Sequence, residues 1–251
     1  MKQIPNLFTL LNLLFGCLAI VFILENGISF DTDGLFFSMP QEIWMGSLFI
    51  ALAALVDFLD GFVARLFKAE SAMGAQLDSL ADIVSFGVAP SLMLYQFLRL
   101  SFMSSPDAFH TSMIWFAPAF LIALAGAWRL ARFNVSNPSA THFVGMPIPT
   151  AGLVIASLPL IYWTASSRQM VELLLNKWFL YALILIISAL MVSRIPFMAL
   201  KFKDFSLKNN LPQFIFILIA ILSVLLFAWL AVPIIFVAYI ILSLLFKTTH
   251  T

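Results

Sequence analysis

Long apolar stretches constrain this chain more than any other feature, because a helix needs roughly 20 apolar residues to cross the core of a bilayer. Eight such stretches occur, at residues 7–24, 43–67, 77–98, 113–133, 149–166, 178–197, 212–229 and 231–246. Only 10% of the 251 residues are charged, whereas soluble domains carry about 25%. The sequence therefore predicts one all-α domain over residues 1–251, a polytopic membrane bundle of about eight transmembrane helices.

The last two predicted spans are separated by only a few residues. Pro233 follows the junction, and a proline inside a helix removes a hydrogen bond and clashes with the preceding turn. We therefore expect a tight helical hairpin at this point instead of one very long helix.

Basic residues indicate how the bundle is oriented, since cytoplasmic loops carry an excess of Lys and Arg. With eight spans and a cytoplasmic N-terminus, ten of the 13 basic residues fall on the cytoplasmic side, namely Lys2, Arg65, Lys68, Arg129, Arg132, Arg194, Lys201, Lys203, Lys208 and Lys247. Both termini are therefore predicted to be cytoplasmic. The net charge of +1, without a run of like charges, indicates no nucleic-acid partner.

Four aspartates stand out because they lie inside or at the ends of predicted spans on that same side. Asp57 and Asp60 are three residues apart and therefore share one face of a helix. Asp78 and Asp82 are four residues apart on the next span, so they share a face as well. A short turn around Gly74 allows the two pairs to meet. The spacing predicts a cluster of four carboxylates.

Such a cluster requires cations. An aspartate near the centre of a membrane helix costs about 2.5 to 3.5 kcal/mol on insertion scales, and four neighbouring carboxylates also repel one another. Magnesium ions prefer carboxylate oxygens and share their coordination with substrate phosphates. Two divalent ions bridged by carboxylates would suit phosphoryl transfer. The sequence therefore predicts a site for a divalent metal, Mg²⁺ or Mn²⁺, with two ions.

Small and polar residues beside the aspartates fit a substrate that carries a diphosphate. Gly61 and Ala64 continue the same helix face and leave room for phosphate groups to approach the backbone. Arg65 supplies guanidinium donors suited to phosphate oxygens. Ser71 and Gly74 lie in the following turn, where a hydroxyl and a bare backbone can contact a nucleotide.

Two other interpretations of the aspartates are open. They can form buried ion pairs with basic residues at neighbouring helix ends, although buried ion pairs are costly to maintain; the residues concerned are Arg65, Lys68, Arg129 and Arg132. They can also line the cation path of a divalent-cation transporter. Transport needs acidic ligands but no phosphate slot, so Gly61, Ala64, Arg65 and Gly74 argue against it.

A family resemblance rests on these same residues. The spacing Asp57-x2-Asp60-Gly61-x2-Ala64-Arg65-x8-Gly74-x3-Asp78-x3-Asp82 is similar at every fixed position to the signature of the CDP-alcohol phosphotransferases. The resemblance implies a helical membrane enzyme, usually a homodimer, in which the first three aspartates bind divalent metal. It also implies that Asp82 binds metal and acts as the base for the incoming hydroxyl. Gly61, Arg65 and Ser71 match positions that the family uses for the CDP-lipid.

Further segments resemble the serine-using bacterial and archaeal members of the family. They read IPNLFTLLN at residues 4–12, RLARFN at 129–134 and FVGMPIPT at 143–150. Met146 and Thr150 depart from the expected Leu and small residue. The resemblance ends near residue 152, which predicts a catalytic core at about 1–152 and additional spans at about 153–251. It implies CDP-diacylglycerol and L-serine as substrates. The short chain without a targeting segment fits a prokaryotic plasma membrane as the location.

Arg129 and Arg132 lie three residues apart at a cytoplasmic helix end, where they can bind a carboxylate or a phosphate together. With Asn134 they are assigned to the acceptor alcohol, and the carboxylate of serine favours serine over inositol. Glycerol 3-phosphate or inositol phosphate would also fit two arginines. Anchoring of the helix end on the cytoplasmic side is a further explanation.

Three polar residues, Asn6, Thr9 and Asn12, occupy one face of the first span. They can hydrogen-bond the nucleotide or a neighbouring helix, and Asn6 and Thr9 are assigned with Asp60 to the CDP-lipid. No role is assigned to the three histidines, His110, His142 and His250.

Overall fold

The protein is an α-helical bundle in the computed structural model, which describes residues 4–30, 37–66, 71–103, 111–135, 145–195, 197 and 210–246. The α-helices of these residues are α1 (Ile4–Glu25), α2 (Trp44–Leu66), α3 (Ala72–Asp82), α4 (Ala89–Met103), α5 (Leu121–Val135), α6 (Ile148–Thr164), α7 (Arg168–Leu174), α8 (Lys177–Val192), α9 (Leu211–Phe227) and α10 (Ala231–Leu245). Two short strands, β1 (Ser29–Phe30) and β2 (Phe37–Ser38), pair antiparallel between α1 and α2. The prediction of an all-α bundle is confirmed, and this strand pair is its one addition among the described residues. His110, His142 and His250 lie outside these residues.

Each of the eight predicted spans coincides with a helical segment. By length and composition, five helical stretches of the described residues can cross a membrane, or six if the bent pair α7 and α8 forms one span. That count is lower than eight because α6 has only 17 residues and because α9 and α10 are taken together as one stretch of 35 residues. The protein is therefore a multi-pass membrane protein.

The last two helices form the predicted hairpin. The rings of Phe216 in α9 and Tyr239 in α10 lie 5.8 Å apart, which requires the two helices to run side by side. The chain reverses at Ala228, whose φ of 46° is a value that non-glycine residues rarely adopt. Pro233 lies in the first turn of α10, where a missing backbone N–H breaks no helical hydrogen bond.

The third predicted span is longer than expected and is not a uniform α-helix. It begins at Ala72, because the Ser71 hydroxyl accepts a hydrogen bond of 3.0 Å from the backbone N–H of Gly74 and caps α3. Directly after Asp82 the chain passes through a π-helical segment, Ile83–Val88, before α4 begins. Such segments occur frequently at functional sites, and this one follows the fourth aspartate.

The interior of the bundle brings α1 against this π-helical segment. The hydroxyl of Ser85 is buried and donates a hydrogen bond of 3.0 Å to the backbone carbonyl of Asn12. Gly16, one turn further along α1, allows the close approach: a Cβ atom at this position would lie 2.9 Å from the Cα of Ser85 and would also clash with its hydroxyl. The glycine therefore sets the spacing between α1 and the segment that follows Asp82.

Replacing this glycine should destabilise the fold. We expect Gly16→Ala to lower the free energy of unfolding by about 1 to 3 kcal/mol, the usual cost of overpacking, because the backbone of Ser85 must move. The measurement is the thermal unfolding midpoint of the purified protein in detergent. Gly61→Ala is the matched control, since a Cβ there has nothing within 4 Å. Equal midpoints for the two variants would contradict the expectation.

Candidate active site

Three of the four aspartates form a compact group between α2 and α3. One carboxylate oxygen from each of Asp57, Asp60 and Asp78 lies within 4.8 Å of the others. The helical spacing explains this arrangement: Asp57 and Asp60 project from one face of α2, and α3 places Asp78 opposite them. Three oxygen ligands this close together can hold a metal ion.

The fourth aspartate lies beside this group and is also buried. Asp82 is 6% exposed, and its carboxyl group contacts that of Asp57. The side-chain amide of Asn12 in α1 donates a hydrogen bond of 3.2 Å to Asp82 Oδ1. The structure therefore brings together the four carboxylates that the spacing predicts, with Asp82 beside the group of three.

Helix α1 supports the cluster through a second polar contact. The hydroxyl of Thr9 donates to Asp60 Oδ2 at 2.8 Å, and Thr9 is 4% exposed. Thr9 and Asn12 thus make helix-to-helix hydrogen bonds, one of the two roles predicted for them. Their side chains orient the carboxylates of Asp60 and Asp82, and a contact of Thr9 with the nucleotide stays a prediction.

The residues predicted to form the diphosphate slot lie on α2 and at the start of α3. A Cβ atom on Gly74 would lie 3.1 Å from both Asn6 Oδ1 and Ser71 Oγ, so these three residues are neighbours. At Gly61, by contrast, an added Cβ atom would meet no other atom within 4 Å, so the space beside this residue is open. Ala64 and Arg65 belong to α2, but their side chains lie outside the described residues.

The two arginines of α5 have different surroundings. Arg129 is 8% exposed and is close enough to Asp82 for their charges to interact. Arg132 instead donates to the carbonyls of Val192 and Ser193, at 2.9 Å and 3.2 Å, and so holds the end of α8. The predicted joint binding of one anion by both arginines therefore stays untested, and only Arg129 faces an aspartate.

Asn134, the third residue assigned to the acceptor, makes a contact within the bundle. Its side-chain amide donates a hydrogen bond of 2.9 Å to the hydroxyl of Ser79. Ser79 lies in α3 between two of the aspartates. The contact ties the end of α5 to α3, and a role of Asn134 towards the acceptor stays a prediction.

Ion pairing does not neutralise the aspartates within the part of the chain that the structure describes. The ion pair found there joins Arg168 and Glu172 on the surface of α7. Neither Arg129 nor Arg132 comes within the 4.0 Å of a carboxylate that defines such a pair, while the side chain of Arg65 and all of Lys68 lie outside the described residues. At 4.8 Å, two like charges repel by about 3.5 kcal/mol for an effective dielectric constant of about 20. The cluster therefore calls for a cation.

Polar atoms around the cluster fit a metal and an anionic substrate. Asp78 Oδ1 and Asn12 Oδ1 are buried acceptors, and Arg129 Nε is a buried donor; none of the three has a hydrogen-bond partner among the described residues. Buried polar atoms are nearly always paired. An unpaired carboxylate oxygen within the group of three and an unpaired amide oxygen on Asn12 suit a hard divalent cation, and the donor suits an anion beside it.

One neighbour of this site could not be predicted from the sequence. Tyr239 in α10 lies close to Arg129, more than a hundred residues further along the chain. It stands in an apolar stretch with no motif around it, so only the packing of α10 against α6 reveals its position.

Comparison with known proteins identifies a family whose sequence model matches this chain. The sequence model of the CDP-alcohol phosphatidyltransferase family matches residues 2–193, which include all four aspartates. A Helicobacter pylori protein named CDP-diacylglycerol–serine O-phosphatidyltransferase is 32% identical over 217 residues, 86% of this chain and 78% of that one. Proteins of the same name from Bacillus subtilis and Mycobacterium leprae are 34% identical over 162 residues (64% of this chain, 78% of the relative) and 30% identical over 223 residues (83% and 66%).

The contact between Thr9 and Asp60 can be tested through metal affinity. We expect Thr9→Val, which removes the hydroxyl, to weaken Mn²⁺ binding about 10- to 100-fold, the usual effect of losing a group that orients a metal ligand. The affinity can be followed by the paramagnetic resonance signal of free Mn²⁺ in a titration of the purified protein. Thr9→Ser keeps the hydroxyl and should bind Mn²⁺ like the unsubstituted protein. An unchanged affinity for Thr9→Val would exclude this role.

Proposed function

The chain belongs to the CDP-alcohol phosphatidyltransferase family, and on that premise we propose that it transfers a phosphatidyl group from CDP-diacylglycerol to L-serine, giving phosphatidylserine and CMP. The observation that carries the proposal is the cluster of Asp57, Asp60 and Asp78 with Asp82 in contact beside it. The shared name of the curated relatives supports serine as the acceptor.

In this proposal the aspartates hold divalent metal, Mg²⁺ or Mn²⁺, with Asp57, Asp60 and Asp78 as ligands and Asp82 completing a site for two ions. When bound, the metal neutralises charge on the diphosphate and on the departing phosphate oxygens. The hydroxyl of Thr9 keeps Asp60 in position for this role. The bundle contributes rigid placement, since all four carboxylates project from helices.

Asp82 acts as the general base for the transfer. It takes the proton from the hydroxyl of serine, whose oxygen then forms a bond to the β-phosphorus of CDP-diacylglycerol. The bond from that phosphorus to the oxygen of CMP breaks, and CMP leaves with the electron pair. Asn12 donates to Asp82 Oδ1 and orients the carboxylate for this role. A positioned base is required because an unassisted hydroxyl is a poor nucleophile at neutral pH.

The CDP-lipid lies along α2 and the start of α3. Gly61 offers open space for the diphosphate, and the group of Asn6, Ser71 and Gly74 offers hydrogen-bonding atoms to the nucleotide. Thr9, Asp60, Ala64 and Arg65 complete the proposed set of contacts. Because Ser71 caps α3, its hydroxyl and the neighbouring N–H groups lie at a helix N-terminus, which favours phosphate.

Serine lies between Asp82 and Arg129 in the proposed complex. Arg129 is buried, its Nε atom has no partner among the described residues, and it faces the aspartate that takes the hydroxyl proton. The guanidinium group therefore suits the carboxylate of serine. Arg132 and Asn134 support the site indirectly, because Arg132 donates to backbone carbonyls at the end of α8 and Asn134 donates to the hydroxyl of Ser79.

The cellular setting belongs to the same proposal. The bacterial relatives and the distribution of basic residues support a prokaryotic plasma membrane, with the termini and the active site facing the cytoplasm. Residues 1–152 would carry the catalytic groups and residues 153–251 would add further spans. A homodimer is proposed from the family resemblance.

The decisive experiment offers acceptors in turn to the purified protein with CDP-diacylglycerol labelled in its phosphatidyl group. We expect CMP release and labelled phosphatidylserine with L-serine and Mg²⁺ or Mn²⁺. A labelled product with glycerol 3-phosphate or inositol phosphate, and none with serine, would show that this other compound is the acceptor. Metal flux into sealed vesicles without any CMP release would instead indicate a cation transporter.

The role of Asp82 can be separated from metal binding. We expect Asp82→Asn to lower serine-dependent CMP release about 10²- to 10⁴-fold, the usual contribution of a general base, while much of the Mn²⁺ affinity is retained. Asp57→Asn, the matched control in the group of three, should lose both properties. Serine-dependent activity close to that of the unsubstituted protein in Asp82→Asn would show that this residue is not the base.

The two arginines of α5 should respond differently to removal of their charge. Arg129→Gln should raise the KM for serine about 10- to 100-fold, because a hydrogen bond to a charged group contributes about 1.5 to 3 kcal/mol. Arg132→Gln should lower the thermal midpoint and leave the KM for serine nearly unchanged, because its bonds go to the backbone of α8. A larger rise of this KM in Arg132→Gln than in Arg129→Gln would reverse the assignment.

A further inference from the structure

An apolar groove runs along the surface of the bundle beside the active site. It has a volume of about 270 Å³ and lies between α6 and the hairpin of α9 and α10. Its walls are almost wholly apolar and include Thr150 and Val154 of α6, Phe216 of α9, and Val232, Phe236 and Tyr239 of α10. The groove thus borders residues 211–245, which lie beyond the part of the chain that the family model matches.

The groove is elongated along the helix axes. Val232 and Tyr239, both in its wall, are seven residues apart on α10, which corresponds to about 10 Å at 1.5 Å per residue. Phe236 lies between them on the same face. A groove parallel to helices that cross a bilayer runs in the direction of lipid acyl chains, so its shape suits one chain.

The Tyr239 end of the groove adjoins the catalytic groups. The ring of Tyr239 is held by stacking on Phe197 at 5.5 Å and by contact with Phe216 at 5.8 Å. Tyr239 lies close to Arg129, and Arg129 interacts with the charge of Asp82. A molecule in the groove therefore has one end beside the residues that act on the phosphate.

Charge distinguishes a lipid from other occupants of an apolar groove. Arg129 is buried and forms no ion pair within 4.0 Å among the described side chains, and it lies close to Tyr239, so a positively charged group is found near this end of the groove. A positive end followed by about 10 Å of apolar wall is complementary to an amphiphile with an anionic headgroup.

We infer that the groove holds one acyl chain of the CDP-lipid, and that the C-terminal hairpin of α9 and α10 thereby selects the length of that chain. The inference rests on the proposed function, because the lipid is the one whose phosphorus is attacked beside Asp82. The headgroup lies at the aspartates, the chain passes Tyr239, and its distal part reaches Val232. A short chain ends before Val232, and a long chain passes it.

The test places a large side chain at the far end of the groove. Val232→Trp should raise the KM for dipalmitoyl CDP-diacylglycerol by about tenfold, a typical effect of a misfit in an apolar pocket. The KM for the dioctanoyl lipid and the KM for serine should stay nearly unchanged, since a short chain does not reach position 232. The readout is CMP release in mixed detergent micelles, with the chain length of the lipid as the variable.

Val237→Trp is the matched control. Val237 lies on the same helix but is 51% exposed and is no part of the groove wall, so its substitution should not distinguish the two lipids. If Val232→Trp fails to fold, as judged by gel filtration and thermal midpoint, Val232→Phe makes a smaller enlargement at the same end of the groove and should give the same discrimination against the long chain.

Several outcomes would overturn the inference while leaving the proposed function intact. Equal effects of Val232→Trp on both lipids would show a general structural role. Equal behaviour of Val232→Trp and Val237→Trp would show that the groove holds no chain, and a change of oligomeric state confined to Val232→Trp would show that a second copy covers it. Absence of serine-dependent CMP release from the unsubstituted protein, with either lipid, would refute the proposed function itself.

Discussion

Mutual repulsion among carboxylates is the constraint on which the rest of this structure depends. Three carboxylate oxygens lie within 4.8 Å of one another, and Asp82 touches the same group, in a bundle whose outer surface is apolar. Such an arrangement is stable only when cations and hydrogen-bond donors compensate the charge. Helix α1 supplies donors from Thr9 and Asn12, and the close packing of α1 at Gly16 keeps these donors at bonding distance. The polar centre and the apolar packing around it are therefore interdependent.

Local periodicity predicted the parts of the site that lie on single helices. Asp57 and Asp60 share a face, as do Asp78 and Asp82, because three- and four-residue spacings fix side-chain direction within one helix. The positions of the long helices followed from apolar length for the same reason. Contacts between helices were less accessible: the spacing of Arg129 and Arg132 suggested a joint site, yet the end of α8 takes up the donors of Arg132. The sequence around an arginine does not indicate which helix end will pack beside it.

Backbone irregularities were the second kind of feature that the sequence did not reveal. Pro233 predicted the hairpin of α9 and α10, but the reversal itself takes place at Ala228 with a positive φ. The π-helical segment after Asp82 has no composition that separates it from an apolar α-helix. A contact between helices explains this segment. The hydroxyl of Ser85 must reach the backbone carbonyl of Asn12, while the side-chain amide of the same Asn12 donates to Asp82. One residue of α1, Asn12, thereby contacts both Asp82 and the backbone segment that follows it.

The separation between Arg129 and Asp82 has a chemical consequence. A direct ion pair would hold the carboxylate of Asp82 in a strong charge-assisted bond and would weaken it as a base. The two groups interact electrostatically but do not meet within 4.0 Å, so the guanidinium group of Arg129 can bind an anion that enters between them. In the proposed complex, an amino acid that carries both a carboxylate and a hydroxyl satisfies the two groups at once, because its carboxylate would pair with Arg129 while its hydroxyl would face Asp82. The geometry thus favours an acceptor in which the anionic group and the nucleophile are only a few bonds apart, as they are in serine.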